Sequence, residues 1–275
     1  MKLLHLTHDN LINMMYDCSI NRNCVGEFRM ANQQRNMDDV SQYKNVRFAI
    51  YFAPERESDL YLLGKEWLGR GLRSNSQLEL PKIQELSDAQ ILDVIRPAAR
   101  YGFHGTLKPP FELISTDQQD DLINDLETFV STEKPFSLPP LKLKQIGHFL
   151  ALTPVGDTSK LNHLAARIVR FFDSYRRPET EEKMNQRRKA GLTSLQEFYL
   201  TTWGYPYVMD EFKFHLTLTG PIKDKYIYRL IFKELSKRVS QLSLDKITIN
   251  NICLFIQDGE NQQFNLHSRY IFKKC

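Results

Sequence analysis

The string Phe-His-x-Thr-Leu occurs twice in this chain of 275 residues, at Phe103–Leu107 and again at Phe214–Leu218. Each copy opens the same succession of patterns: a strand, an amphipathic helix, then two more strands. In the first copy the strand covers 102–113 and the helix 117–132, with Leu122, Leu126 and Phe129 on one face; strands follow at 138–145 and 149–153. In the second copy the strand covers 212–219 and the helix 223–239. Strands then follow at 242–256 and 264–272, split by the turn Asp258-Gly259. A chain that repeats strand-helix-strand-strand in this way is an α+β protein of two similar halves, with mostly antiparallel sheets.

The flanking segments fit around this repeat. Val46–Phe52 alternates and is rich in β-formers, so it reads as a strand ended by Pro54. A helix is expected over Leu60–Leu68, stopped by Gly69 and Gly71, and residues 70–86 read as loop. Ser87 with Gln90 has the spacing of a capping box, opening a short helix that ends near Pro97. Two helical stretches, 159–175 and about 179–202, separate the copies. Residues 1–45 hold Cys18, Cys24 and a polar run from Asn32 to Asn36 without sustained period. They read as an N-terminal extension to a single domain spanning 46–275, and Met37 is an alternative start.

Composition narrows the class of function. With 41% hydrophobic and 25% charged residues the chain is an ordinary globular one, and its net charge of +4 is too mild for a dedicated nucleic-acid binder. Cys18, Cys24, Cys253 and Cys275 show no CxxC or Cys/His ligand spacing, so they read as free thiols rather than a zinc site. The start, MKLLHLTHDNLINMMYD, has no secretory apolar core, and no stretch approaches the ~20 apolar residues of a membrane span. A cytoplasmic location is expected.

In a strand, side chains at i and i+2 share a face, so His104 projects with Thr106 and His215 with Thr217. If the halves pack about a pseudo-twofold axis, two imidazoles and two hydroxyls converge on one cleft. That set suits a phosphodiester. One neutral imidazole takes a proton from the attacking oxygen, and the other, as imidazolium, gives one to the leaving oxygen. The threonine hydroxyls donate to the non-bridging oxygens, where charge gathers in the transition state. No metal or other cofactor is required, and no carboxylate cluster suggests one.

A lone histidine on an apolar strand is usually structural, but two in matching strings with matching sequels are not lone. His148, His163 and His267 have no HxT partner; His5 has Thr7, but its flanks lack the repeated architecture. None of these is assigned to the site. Lys108, two residues beyond Thr106, faces either the cleft as an anion attractor or solvent at the strand end; Thr219 holds the equivalent place in the second copy. The aromatic run Trp203-Gly204-Tyr205-Pro206-Tyr207 is a wall for a base or sugar, or core packing, with Tyr207 the substrate-binding candidate; Tyr51 is a weaker one. Arg187-Arg188-Lys189 reads as the wet face of a helix that can steer anions.

These strings resemble the 2H phosphoesterase superfamily, which pairs two H-x-[TS]-x motifs across a duplicated bilobal fold. RFAIYFAPE, YGFHGTLKPPF, IGHFLALTP, WGYPYV and FKFHLTLTGPI are similar to its branch assigned to phosphonate metabolism, found beside carbon–phosphorus lyase genes; the resemblance runs from about Val46 to about Phe272. It implies two mostly antiparallel sheets with flanking helices around a central cleft, with the catalytic histidines at His104 and His215 and the paired hydroxyls at Thr106 and Thr217. It also implies, as substrate, a small cyclic phosphate ester of ribose or a nucleotide. An RNA-end 2′,3′-cyclic phosphodiesterase or 2′-5′ ligase-like enzyme is the nearest alternative. A nucleotide sensor without turnover is a third.

Overall fold

In the computed structural model the two motif strands lie side by side at the middle of a seven-stranded sheet. The structure describes residues 46–73, 78–115 and 117–273. The expected extension at 1–45, the Met37 start and Cys18, Cys24 and Cys275 lie outside the described residues.

Nine strands are formed by the described residues: β1 (Val46–Phe52), β2 (Gly105–Phe111), β3 (Phe136–Ser137), β4 (Leu141–Ile146), β5 (Phe149–Pro154), β6 (Leu216–Thr217), β7 (Thr248–Ile249), β8 (Asn251–Asp258) and β9 (Asn265–Ile271). Seven helices accompany them: α1 (Asp59–Leu68), α2 (Asp88–Ala99), α3 (Gln118–Val130), α4 (Ser159–Phe171), α5 (Glu181–Arg188), α6 (Ser194–Trp203) and α7 (Lys225–Ser240). The main sheet runs β4-β5-β6-β2-β1-β8-β9, and β3 pairs with β7 in a second, two-stranded sheet. Every strand pairing among the described residues is antiparallel. The chain is an α+β protein, as its patterns predict.

The expected division into two separate sheets is replaced by exchange. The hairpin β4–β5, which follows the first motif in sequence, pairs with the second motif strand β6. The hairpin β8–β9, which follows the second motif, pairs through β1 with the first motif strand β2. Each copy therefore completes the other's sheet, and the motif strands meet at the seam.

Strand alternation divides the residues of β1 between two faces. Phe48, Ile50 and Phe52 join the main core with Leu60 and Trp67 of α1, Ile91 and Ile95 of α2, Leu122 and Leu126 of α3, Leu164 and Ile168 of α4, and Ile231 and Leu235 of α7. Ala49 and Tyr51 face the opposite way, against Cys253, Phe255 and Phe264. The buried Trp67 donates its Nε1–H to the Leu218 carbonyl at 2.8 Å, tying α1 to the end of the second motif.

Local signals set several boundaries. Ser58 caps α1, and Gly69 closes it in the left-handed region at φ 66°. The Ser87/Gln90 capping box opens α2. That helix runs to Ala99 with Pro97 inside its last turn, two residues past the expected end. The predicted helix over 179–202 is two helices, α5 and α6, broken near Gly191, whose φ is 75°. The predicted strand 212–219 keeps ladder pairing only at Leu216–Thr217. Among the described residues no helix is long and apolar enough to cross a membrane.

Candidate active site

His104 and His215 each stand one residue before their strands, and those strands pair. Gly105 is the cross-strand partner of Leu216 in antiparallel register. Counting one residue either way sets His104 opposite Thr217 and Thr106 opposite His215. All four alternate with Gly105 and Leu216, so they share one face, where opposed Cβ atoms stand roughly 5 Å apart. The two motifs thus meet about a local twofold axis.

The middle residue of the first motif makes this approach possible. The Phe214 ring lies over Gly105 so closely that a Cβ there would be 2.3 Å from it. The equivalent ring, Phe103, lies against Gly64 of α1, where a Cβ would be 2.1 Å away. Each motif phenylalanine therefore occupies a space that only glycine leaves open.

Both imidazoles are held in the same way. His104 donates Nδ1–H to the Gly102 carbonyl at 2.8 Å, and His215 donates Nδ1–H to the Lys213 carbonyl at 2.7 Å. A carbonyl can only accept, so each Nδ1 carries the hydrogen and each neutral ring presents an unprotonated Nε2. The Nε2 of His104 accepts from the Thr106 hydroxyl at 3.1 Å.

Their electrostatics differ. His104 is 8% exposed, and burial pulls its pKa down to about 4 against the opposing Gly102 hydrogen bond, with the nearby His215 lowering it further. Half-buried His215 is also lowered by burial, opposed by its bond to the Lys213 carbonyl. The buried Tyr51, partner of Thr106 across β1–β2, stacks on the His104 ring with centroids 3.8 Å apart. Phe149 packs near His215 at 5.7 Å.

The other expected residues divide. Lys108 is neither at an exposed strand end nor on the histidines' face: a register shift past Thr106 sets it opposite Ile50, towards the main core, 2% exposed, with Nζ 3.3 Å from the Val169 carbonyl and 3.6 Å from Asp173. Burial pulls it down to about 8, against the pull of Asp173 in the other direction. Thr219 is also buried; its hydroxyl accepts from the Leu150 amide at 2.9 Å, which makes it a strand tie. In the aromatic run, Trp203 and Tyr205 pack on Val169, Tyr199 and Val208, while Tyr207 stands 43% exposed, edge-on to Tyr205 at 5.7 Å. Arg188 pairs with Glu181 and Glu197, as on a wet face, but Arg187 turns inward to the Gly204 carbonyl and lies over the Tyr205 ring.

Two features escaped the sequence. Tyr101 lies 6.2 Å from His104 and stacks on Phe264, and its position directly before Gly102 and the first motif was the signal available. The Asp173–Arg176 pair reaches Lys108 from the segment after α4, for which no string stood out. Cys253 is a free buried thiol, pushed up to about 12 by its burial. Among the described residues no group of three or more His, Cys, Asp or Glu side chains could hold a metal ion.

Comparison with known proteins places the chain. It is 35% identical over 183 residues to a ribose 1,5-bisphosphate phosphokinase, PhnN, of Janthinobacterium sp. (strain Marseille), covering 66% of this chain and 40% of the relative. It is 31% identical over 179 residues to the protein of the same name in Laribacter hongkongensis (strain HLHK9), covering 65% of this chain and 41% of that relative. The chain thus spans about two fifths of the length of the curated relatives it matches. Residues 106–265, more than half the chain and including Thr106, His215 and Thr217, match the family described as a protein of unknown function, DUF1045, and to that family the chain belongs.

Proposed function

We propose that the chain is a phosphodiesterase that needs no metal ion and opens a small cyclic phosphate ester of ribose by paired-histidine catalysis. The observation that supports this best is the cross-strand set of His104, Thr217, Thr106 and His215, with both imidazoles fixed by carbonyls two residues upstream. The same proposal makes the chain a 2H phosphoesterase, with residues 46–275 as its catalytic domain.

The roles follow from burial. His104 is the more enclosed and resists protonation, so it is the base: Nε2 takes a proton from water as the water oxygen bonds to phosphorus. His215, whose bond to the Lys213 carbonyl favours the protonated ring against the opposing effect of burial, is the acid: once protonated, Nε2 gives its proton to the ester oxygen as the P–O bond to that oxygen breaks. Water is consumed and a phosphate monoester remains. Thr106 and Thr217 donate to the non-bridging oxygens, Thr106 turning from His104 to do so.

The name of the relatives suggests the sugar. In ribose 1,5-bisphosphate the 1-phosphate can close a five-membered ring only onto the neighbouring 2-hydroxyl. Ribose 5-phosphate 1,2-cyclic phosphate, cleaved at the P–O2 bond, therefore yields the compound for which those relatives are named. The matched stretch is about two fifths of each relative, which leaves the remainder to carry the phosphokinase activity.

A substrate panel with excess EDTA tests the proposal. Ribose 5-phosphate 1,2-cyclic phosphate should be opened at an undiminished rate. Preference for 2′,3′-cyclic RNA ends or a 2′-5′ dinucleotide would favour the RNA-end enzyme, and tight binding without turnover would favour a sensor. Activity lost to chelation and restored by zinc or manganese would overturn the mechanism.

A further inference from the structure

The face of the sheet that carries the four motif residues continues across β1. There Arg47, Ala49 and Tyr51 alternate with Phe48 and Ile50 of the main core, in unbroken register against β8. Tyr51 stacks on His104, Phe264 lies 6.3 Å from Tyr51, and the Arg47 guanidinium stands over the Phe264 ring at 5.3 Å. Half-buried Tyr101 lies along the same strip, 5.2 Å from Phe264 and 6.2 Å from His104. Arg47 is four residues from Tyr51, roughly 13 Å along β1. Its head group leans back over part of that distance. Burial holds the Tyr51 phenol well above its usual range, Tyr101 adds to this, and the Arg47 charge opposes both, so guanidinium and hydroxyl are within electrostatic reach.

A second guanidinium meets the first. Arg47 donates Nε–H to Gln257 Oε1 at 2.6 Å, and the Gln257 amide donates to the Glu260 carbonyl at 3.3 Å. Arg100, directly before Tyr101, donates to that same carbonyl from Nη2. One buried glutamine and one carbonyl thus bridge two half-buried cations. Each guanidinium has five N–H donors, and each spends one on these contacts. Among the described residues neither has a carboxylate partner, and the Arg100 Nε is buried with no hydrogen-bond partner. Two like charges held together with donors to spare are costly unless an anion lies between them.

We propose that Arg47 and Arg100 form a second anion subsite, which takes the phosphate at the far end of the substrate from the scissile one, with Tyr101 along the path of the sugar between. The planar forks of two guanidinium groups match the oxygens of a phosphate, which can accept from both at once. Ribose 5-phosphate 1,2-cyclic phosphate carries such a second phosphate, one sugar ring away from the bond that breaks. The pair thereby selects substrates with two phosphate groups over those with one. The placing of the reacting end at the histidines rests on the phosphodiesterase proposal; the capture of an anion by Arg47 and Arg100 does not.

Calorimetric titration with ribose 1,5-bisphosphate and ribose 1-phosphate reads the subsite directly, because the two differ only in the distal phosphate. The wild type should bind the bisphosphate about tenfold to a hundredfold more tightly, the worth of a charge-assisted contact. Arg47→Met and Arg100→Met should each remove most of that preference while ribose 1-phosphate stays within about threefold. Arg47→Lys should recover part of it, since the charge returns without the fork. A wild type that binds the two alike, or variants that weaken both equally, would overturn the subsite and leave the arginines as ties of the turn between β8 and β9. Should the variants not fold, the wild-type comparison decides together with wild-type crystals soaked with the bisphosphate. Its 5-phosphate is expected within hydrogen-bond reach of both guanidinium groups, and a 5-phosphate elsewhere is the contrary result. Preference as described, without any turnover of the cyclic ester, would refute the catalytic proposal and leave the subsite standing. Equal kcat/KM for ribose 1,2-cyclic phosphate with and without its 5-phosphate would do the reverse.

Discussion

Because burial holds the His104 imidazole down to about 4, the folded chain refuses a proton that the unfolded chain accepts below 6.5. Stability is therefore full above pH 6.5 and falls as pH drops towards 4, by roughly 3 kcal/mol at most from this residue. Urea unfolding at pH 7 and pH 4.5 should show a larger loss for the wild type than for His104→Gln, which has no such group; equal losses would contradict the assigned environment. At the same scale, Thr106→Val and Thr217→Val should each cost at most about 2.7–4 kcal/mol of transition-state stabilisation, read from kcat/KM. The four motif residues were legible because a two-residue spacing fixes a face without knowledge of partners. Tyr51 was harder, since its stack on His104 depends on β1 meeting β2 with Tyr51 opposite Thr106. The position of Lys108 was legible; its enclosure by Asp173, Val169 and the aromatic run required the fold.

The proposed chemistry needs strands β2 and β6 to lie against each other, and Gly105 sets that distance. Gly105→Ala places a methyl 2.3 Å from the Phe214 ring. It should destabilise the protein by about 1–3 kcal/mol and lower kcat as the motif strands part. Adding Phe214→Leu should return part of both, as measured by melting and turnover of the double variant; loss that merely adds would show the contact to be incidental. Helix boundaries were read well where caps speak locally, as at Gly69 and Ser87. They were misread where a breaker is tolerated, at Pro97, or where one glycine divides a polar run, at Gly191. Residues 212–219 alternate as a strand should, yet a ladder also needs a neighbour, and pairing in β6 is confined to Leu216–Thr217.

At the scale of the whole molecule, the repeat visible in sequence is not the unit visible in space. Hydrophobic period tells which segments are strands but not which strands pair, so the exchange of hairpins β4–β5 and β8–β9 between the copies could not be read from pattern. The exchange ties the two motifs into a continuous sheet, so that unfolding either half should disable both histidines. The relatives' extra length bears on division of labour: given ATP and ribose 1,5-bisphosphate, this chain should release no ADP, and release at a rate comparable with ester opening would place phosphokinase activity within the matched stretch. The most direct measurement follows opening of ribose 5-phosphate 1,2-cyclic phosphate by phosphorus NMR, in excess EDTA, for the wild type, His104→Ala and His215→Ala. The account predicts wild-type turnover untouched by EDTA and a fall in kcat of about 10²–10⁴-fold in each variant. An inert wild type, or either variant within about threefold of it, would contradict the paired-histidine mechanism.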